Sequence, residues 1–185
     1  MLEVFFIVVV VVLFPFVSSV FGKAALFLLL LVFVLPGMYS TIKGAPYLPT
    51  GEKRLKSMLD LAALTSEDRV VDLGCGDGKV IAAVSDYGVK EAIGYEFSVP
   101  TFLVAKFRKF LRKGNEKIVF GNFWKKKFDD FDVVVCFLLE KTMLDFEKNI
   151  WPTLKKGTRV VSNEFKMKAV SPDREEGRVY LYVKK

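Results

Sequence analysis

The stretch Val70-Val71-Asp72-Leu73-Gly74-Cys75-Gly76-Asp77-Gly78-Lys79 decides how the rest of the chain is read. An apolar run enters an acid, Asp72, and then a turn with glycine at 74, 76 and 78. A helical pattern begins at Lys79. Glycines at that density serve a backbone that turns tightly and lets another molecule approach it closely. A second apolar run, Ala92-Ile93-Gly94-Tyr95, ends in Glu96, about twenty residues past the glycines, the separation a ribose-binding acid takes. A glycine loop after one strand and an acid after the next is the layout of a nucleoside-cofactor site.

Spacing and charge narrow the ligand. A dinucleotide fold uses G-x-G-x-x-G and a P-loop uses G-x-x-x-x-G-K-[ST]; this chain has Gly74-x-Gly76-x-Gly78 instead. Asp72 and Asp77 would repel a pyrophosphate and suit a ligand bearing positive charge. S-adenosylmethionine (SAM) has an ammonium, a sulfonium and no phosphate. The chain contains no histidine. That excludes Ser-His-Asp and Cys-His nucleophile systems and any metal site built on imidazole. The two cysteines, Cys75 and Cys136, predict neither a disulfide framework nor a zinc site, and no metal is expected.

Working outward, periodicity predicts helices over 51–64, 79–87, from Ser98 to Gly114, and over 143–154. Strands are predicted over 70–73, 91–95, 118–120, 132–138 and 158–162, with an alternating edge strand over 178–183. Strands alternating with helices imply a mostly parallel, doubly wound α/β sheet. Right-handed crossovers then bring the loops that follow the strands to one edge, where ligands bind.

Before this fold the composition changes sharply. Residues 1–40 carry only Glu3 and Lys23 as charged side chains. Val4 to Val20 and Ala24 to Leu35 are nearly continuous apolar runs, against about twenty residues for one membrane span. The expectation is a retained N-terminal transmembrane segment in contact with the lipid bilayer. It is either a helical hairpin turning at Gly22-Lys23 and stopping at Pro36-Gly37, or one long tilted span. The start, Met1-Leu2-Glu3, lacks the positive n-region of a cleaved signal. Lys43, Lys53, Arg54 and Lys56 follow the second run and place the soluble part on the cytoplasmic side. The organisation expected is an anchor over 1–40, a Pro/Gly-rich connector over 41–50 and a catalytic domain over 51–185.

Asp72-Leu73-Gly74-Cys75-Gly76-Asp77-Gly78, with Glu96 closing the next strand, resembles the first motifs of class I SAM-dependent methyltransferases with a Rossmann-like sheet. The resemblance implies roles. Gly74, Gly76 and Gly78 admit the methionine part, with Thr50, Cys75 and Asp77 beside it, and Asp72 anchors the amino end. Glu96 accepts from both ribose hydroxyls. Phe97 flanks the adenine. Asn122 meets its exocyclic amine, with Phe123 alongside. Further segments extend the likeness: Pro46-Tyr47-Leu48-Pro49-Thr50, Gly121-Asn122-Phe123-Trp124, Phe137-Leu138-Leu139 and Ser162-Asn163-Glu164-Phe165. Together they resemble the small archaeal protein-lysine methyltransferases and their mitochondrial relatives that act on the c-ring of ATP synthase. Two departures stand out: Glu140 where the family often has proline, and Asn163 where archaeal members have histidine.

The implied activity is methylation of protein lysines at or near a membrane. A lysine amine must arrive neutral, against a free pKa of about 10.4, so an apolar channel is expected to desolvate it. Tyr47, Phe137 and Phe165 are the expected walls, and Glu164 the group that steers or orients the amine. The net charge of +7 is concentrated in Lys106, Arg108, Lys109, Arg112, Lys113 and Lys125 to Lys127. A solvated basic face accounts for these, and nucleic acid is not the expected partner. Two alternatives use the same cofactor site: an RNA, small-molecule or lipid methyltransferase, and a membrane-bound SAM-binding module without catalysis.

Overall fold

The computed structural model describes the backbone of residues 2–43 and 48–185 and the side chains of residues 7–31 and 48–185. Its helices are α1 (Leu2–Leu13), α2 (Val20–Lys43), α3 (Glu52–Ala62), α4 (Lys79–Asp86), α5 (Val99–Arg112) and α6 (Glu140–Asn149). Its strands are β1 (Arg69–Leu73), β2 (Glu91–Glu96), β3 (Lys117–Phe120), β4 (Val133–Cys136), β5 (Arg159–Asn163), β6 (Arg174–Glu176) and β7 (Val179–Val183). They form one sheet in the order β3-β2-β1-β4-β5-β7-β6. Strands β1 to β5 run parallel, while β7 is antiparallel to both β5 and β6.

The valine-rich strands explain this layering. β-Branched side chains suit a pleated surface, and a parallel sheet buried on both faces reads as continuous apolar runs. Val70, Val71, Val133, Val134, Val160 and Val161 are completely buried. Alternate residues feed opposite layers: Val70 and Val133 pack with Leu55 and Met58 of α3 and Ile81 of α4, while Val71 and Val134 pack with Met143 and Phe146 of α6. The chain runs outward from β1 to β3 and then restarts on the other side at β4. That reversal opens a crevice between β1 and β4 at the C-terminal edge, the position where ligands bind in such sheets.

The structure corrects two expectations. Strand β7 is not an edge: it lies between β5 and β6, and its Tyr182 is fully buried. The edge is instead β6, Arg174-Glu175-Glu176, exposed throughout and so charged that no apolar alternation announces it.

The second correction concerns the N-terminal segment. Among the described residues no helix is long and apolar enough to cross a membrane, so the transmembrane segment is overturned. Helix α1 has 12 residues, a length of about 18 Å at 1.5 Å per residue, against roughly 30 Å of bilayer hydrocarbon. A 3-10 turn at Phe14–Phe16, with proline inside it, ends the first apolar run. The reversal falls there and not at Gly22-Lys23, which sit inside the first turns of α2. The Ser19 hydroxyl caps that helix by accepting the Gly22 N–H at 2.9 Å. Pro36-Gly37 does not stop α2, which runs on to Lys43. Helices α1 and α2 pack on each other and against α5.

Gly94 illustrates how the core and the glycine loop fit. A Cβ there would lie 2.7 Å from both Cβ and Sγ of Cys75, a completely closed contact. Gly94→Ala is therefore expected to lower stability by about 1–3 kcal/mol through overpacking, read as a reduced urea midpoint.

Candidate active site

The glycine loop is built by its own backbone. Gly74, Gly76 and Gly78 have φ of 79°, 55° and 77°, a region that residues with a Cβ enter at a cost. The N–H groups of Gly74 and Cys75 both donate to the Tyr95 carbonyl, at 3.0 and 2.9 Å, which ties the loop to the end of β2. Gly78 caps α4, and a Cβ on it would press on Ala105 of α5 at 3.2 Å. A Cβ on Gly74, by contrast, would meet nothing within 4 Å. The loop is closed beneath and open above.

Glu96 is the keystone of this edge. Its carboxylate accepts the Gly76 N–H at 2.9 Å and the Ser98 N–H at 2.6 Å, so one side chain joins the loop, β2 and the start of α5. Burial raises its pKa, and the backbone N–H groups of Ser98 and Gly76 oppose that rise. Each carboxylate oxygen retains further acceptor capacity. Asp72, one strand over, is buried, and its pKa is pushed up to about 8 by burial first and then by the charges of Glu96 and Asp77. Two buried acids thus share this edge of the sheet.

The expected cofactor residues occupy this edge in different ways. Thr50 is buried, and its carbonyl accepts a hydrogen bond from Lys79 Nζ at 2.9 Å. Lys79 also pairs with Glu52 at 2.6 Å, so the first residue of α4 clasps the end of the connector against the loop. Cys75 is buried beneath the loop, and burial holds its thiol well above the usual range. Asp77 is engaged: its carboxylate pairs with Arg108 at 2.5 Å and accepts the Lys79 N–H at 3.1 Å. Phe97 lies parallel to Phe120, with centroids 6.0 Å apart. The Asn122 side chain accepts the Trp124 N–H at 2.9 Å, so a cofactor amine would share that oxygen. Phe123 is buried against Trp124 in the α6-side core.

Three of the four expected substrate residues follow β4 and β5. Tyr47 lies outside the described residues. Phe137 and Phe165 are half-buried, after β4 and β5 respectively. Glu164 adopts φ of 76° and sits between two guanidinium groups, Arg54 of α3 at 2.6 Å and Arg178 at 2.5 Å. The oxygen facing Arg54 is close enough for an ion pair but not aligned for a hydrogen bond. A carboxylate balanced by two cations attracts a third only weakly. Glu164 ties α3, the end of β5 and the turn before β7 together at this edge.

Sequence reasoning missed three groups. Lys79 was legible as the residue directly after Gly78. Arg108 carried no signal, since its partner Asp77 lies far back in the chain and is brought to it only by the fold. The hydroxyl of Ser98 is buried without a hydrogen-bond partner, and only its place after Glu96 and Phe97 hinted at the cofactor edge.

SAM fits these residues. The open side above Gly74 admits its body, Glu96 offers acceptors for two hydroxyls, and its ammonium answers the buried acid Asp72. A pyrophosphate fits none of them. Among the described residues no acid and cysteine cluster suits a metal. The sheet order, the loop and the carboxylate at the end of β2 together define a class I SAM-dependent methyltransferase.

Comparison with known proteins agrees and goes further. Residues 72–174 match the family model described as the ANTKMT methyltransferase domain. The chain is 37% identical over 155 residues to a protein-lysine N-methyltransferase of Saccharolobus islandicus, covering 78% of this chain and 96% of that one. It is 26% identical to the mouse adenine nucleotide translocase lysine N-methyltransferase over 69% of this chain, but only 56% of that longer protein. Among solved structures, an RNA methyltransferase from Salinibacter ruber in complex with S-adenosyl-L-homocysteine superposes with a TM-score of 0.69. That match has 26% identity and covers 74% of this chain and 94% of that one. The chain belongs to the ANTKMT family of SAM-dependent protein-lysine methyltransferases.

The buried acids give a test of the electrostatics. Asp72 has a folded pKa of about 8, above the roughly 3.9 of a free aspartate. The folded state therefore binds the proton more tightly. Its stabilising contribution is complete below the free value and is lost as pH rises towards 8. In the cofactor-free protein, Asp72→Asn is expected to flatten the fall in urea stability between pH 5 and pH 8.5 relative to wild type; equal slopes would remove Asp72 as its source.

Proposed function

We propose that this enzyme transfers methyl groups from SAM to lysine side chains of proteins, and that its substrates lie at or near a membrane surface. The observation that carries the lysine assignment is the Saccharolobus relative, named a protein-lysine N-methyltransferase, which the chain matches over 96% of its length. Geometry supports it. The half-buried rings of Phe137 and Phe165 follow β4 and β5, so they stand at the edge where the crevice opens. An apolar approach of that kind strips water from an incoming ammonium and lowers its pKa towards the neutral, nucleophilic form. No histidine is required. Bound SAM supplies an electrophilic methyl on sulfur, and holding the amine in line with it accounts for much of the rate.

The membrane part of the reading rests on the outer face of the N-terminal helices. Val11, Val12, Phe16, Phe21, Phe27 and Leu28 are exposed there. Helix α5, against which α1 and α2 pack, adds exposed Phe107, Phe110 and Leu111, with Lys106, Lys109 and Lys113 interleaved. Large apolar patches of this kind mark contact surfaces. Basic residues beside an apolar face favour lying in the plane of an anionic bilayer surface. Such contact requires no spanning helix. It would hold the catalytic domain on the cytoplasmic face.

One experiment tests both parts. The protein is incubated with methyl-labelled SAM and a lysate separated into membrane and soluble fractions, and the products are analysed by peptide mass spectrometry. Methyl-lysine enriched in membrane-fraction proteins is expected. Label only in nucleic acid, the reading suggested by the Salinibacter structure's name, would overturn the lysine assignment. Methyl-lysine confined to soluble proteins would overturn the membrane part alone.

A further inference from the structure

Asn163 ends β5. It is fully buried, with 0% of its surface exposed, and both Oδ1 and Nδ2 lack a hydrogen-bond partner. Buried amides are normally satisfied, because leaving one unpaired costs its full desolvation. Among the described residues no other side chain has two polar atoms that are both buried and unpaired. Unexplained buried polar atoms of this kind call for a missing partner.

The position of Asn163 says what that partner is. Asp72, Val135 and Val161 are consecutive partners across β1, β4 and β5. Asn163 is two residues beyond Val161, so it shares the face that Asp72 and Val161 present and lies about 7 Å nearer the C-terminal edge. The sheet spacing puts it about 10 Å from β1 across β4. Glu96 is on the other side of β1, at the end of β2. A nucleoside whose hydroxyls meet Glu96 therefore directs its far end across β1 towards β4 and β5. Asn163 stands beyond β4 on that same face, in the direction that far end takes. The ion pairs of Glu164 with Arg54 and Arg178 brace the residue next to it.

We propose that Asn163 is a specificity and positioning residue for the acceptor: its Oδ1 accepts one N–H of the neutral substrate lysine amine and leaves the nitrogen lone pair facing the methyl group. This rests on the lysine reading above. In the transfer, the nitrogen–carbon bond forms as the carbon–sulfur bond breaks, the electron pair leaves on sulfur, and the resulting ammonium loses its proton to solvent. An amide does not titrate, so it orients the amine without acting as a base. A carboxylate at the same point would instead favour the charged, unreactive ammonium.

Asn163→Leu, an apolar side chain of similar size, tests this with three readouts. SAM affinity by calorimetry is expected within about twofold of wild type, and the melting temperature is expected to be equal or higher, since removing both unpaired atoms is nearly neutral or stabilising. Lysine methylation is expected to lose roughly tenfold or more in kcat/KM, the worth of one hydrogen bond to the reacting group. Asn163→His is expected to restore part of the rate above pH 7 and to lose it below about 6.5, where imidazole protonates; wild type has no such step. Asn163→Val serves for the same readouts if the leucine variant does not fold. Wild-type kcat/KM in the leucine or valine variant overturns the proposal, as does a loss of SAM affinity and melting temperature in step with activity. If wild type itself methylates no lysine, the lysine reading fails first and this proposal with it; if wild type is active and the variants match it, only Asn163 falls.

Discussion

The active edge hangs on the Glu96 carboxylate. Its two oxygens collect the N–H groups of Gly76 and Ser98, so a single buried acid fixes the crest of the glycine loop, the end of β2 and the first turn of α5. The Tyr95 carbonyl adds a second fastening by accepting from Gly74 and Cys75. Because these contacts are to backbone, the loop is shaped before any ligand arrives. Glu96 and Asp72 are both buried acids, and an acidic edge suits a ligand that carries positive charge. Burial raises the pKa of both, and a cationic cofactor reverses that penalty by supplying the counter-charge from outside the chain.

Around this centre the scaffold works by clasping neighbouring segments. Lys79 holds the connector at Thr50 and Glu52. Arg108 holds Asp77 from α5. Arg159, at the opposite end of β5, donates to the Ala62 carbonyl at 2.7 Å and pairs with Asp68, which secures the C-terminus of α3. Glu164 then secures the N-terminal half of the same helix through Arg54. Helix α3 is thus tied at both ends to β5, the strand that presents Asn163.

The cofactor half of this site was legible because its physics is local. Glycines at 74, 76 and 78 are demanded by positive φ, Asp72 by the loop's mouth, and Glu96 by its distance from them; the valine runs declare a sheet buried on both faces. The acceptor half was not. Asn163 holds two buried polar atoms without a partner, and a missing contact leaves no mark on a sequence. The sequence offers Glu164 as an amine-binding acid, while Arg54 and Arg178, distant in the chain, pair with it in the fold. Strand β6 was invisible because it is wholly charged and exposed. The apolar N-terminal runs misled in the opposite way: composition measured their hydrophobicity but not the turn at Phe14–Phe16 that divides them.

The central claim is that two buried acids and an open glycine loop select a cationic nucleoside without phosphates. Titration calorimetry with SAM, NAD and ATP against the full chain at pH 7 tests it most directly. Saturable one-to-one binding of SAM is predicted, weakened by roughly tenfold or more in Glu96→Gln, a charge-assisted hydrogen bond being worth about that much, with no measurable binding of NAD or ATP. Binding of either phosphate-bearing nucleotide as tightly as SAM would contradict it.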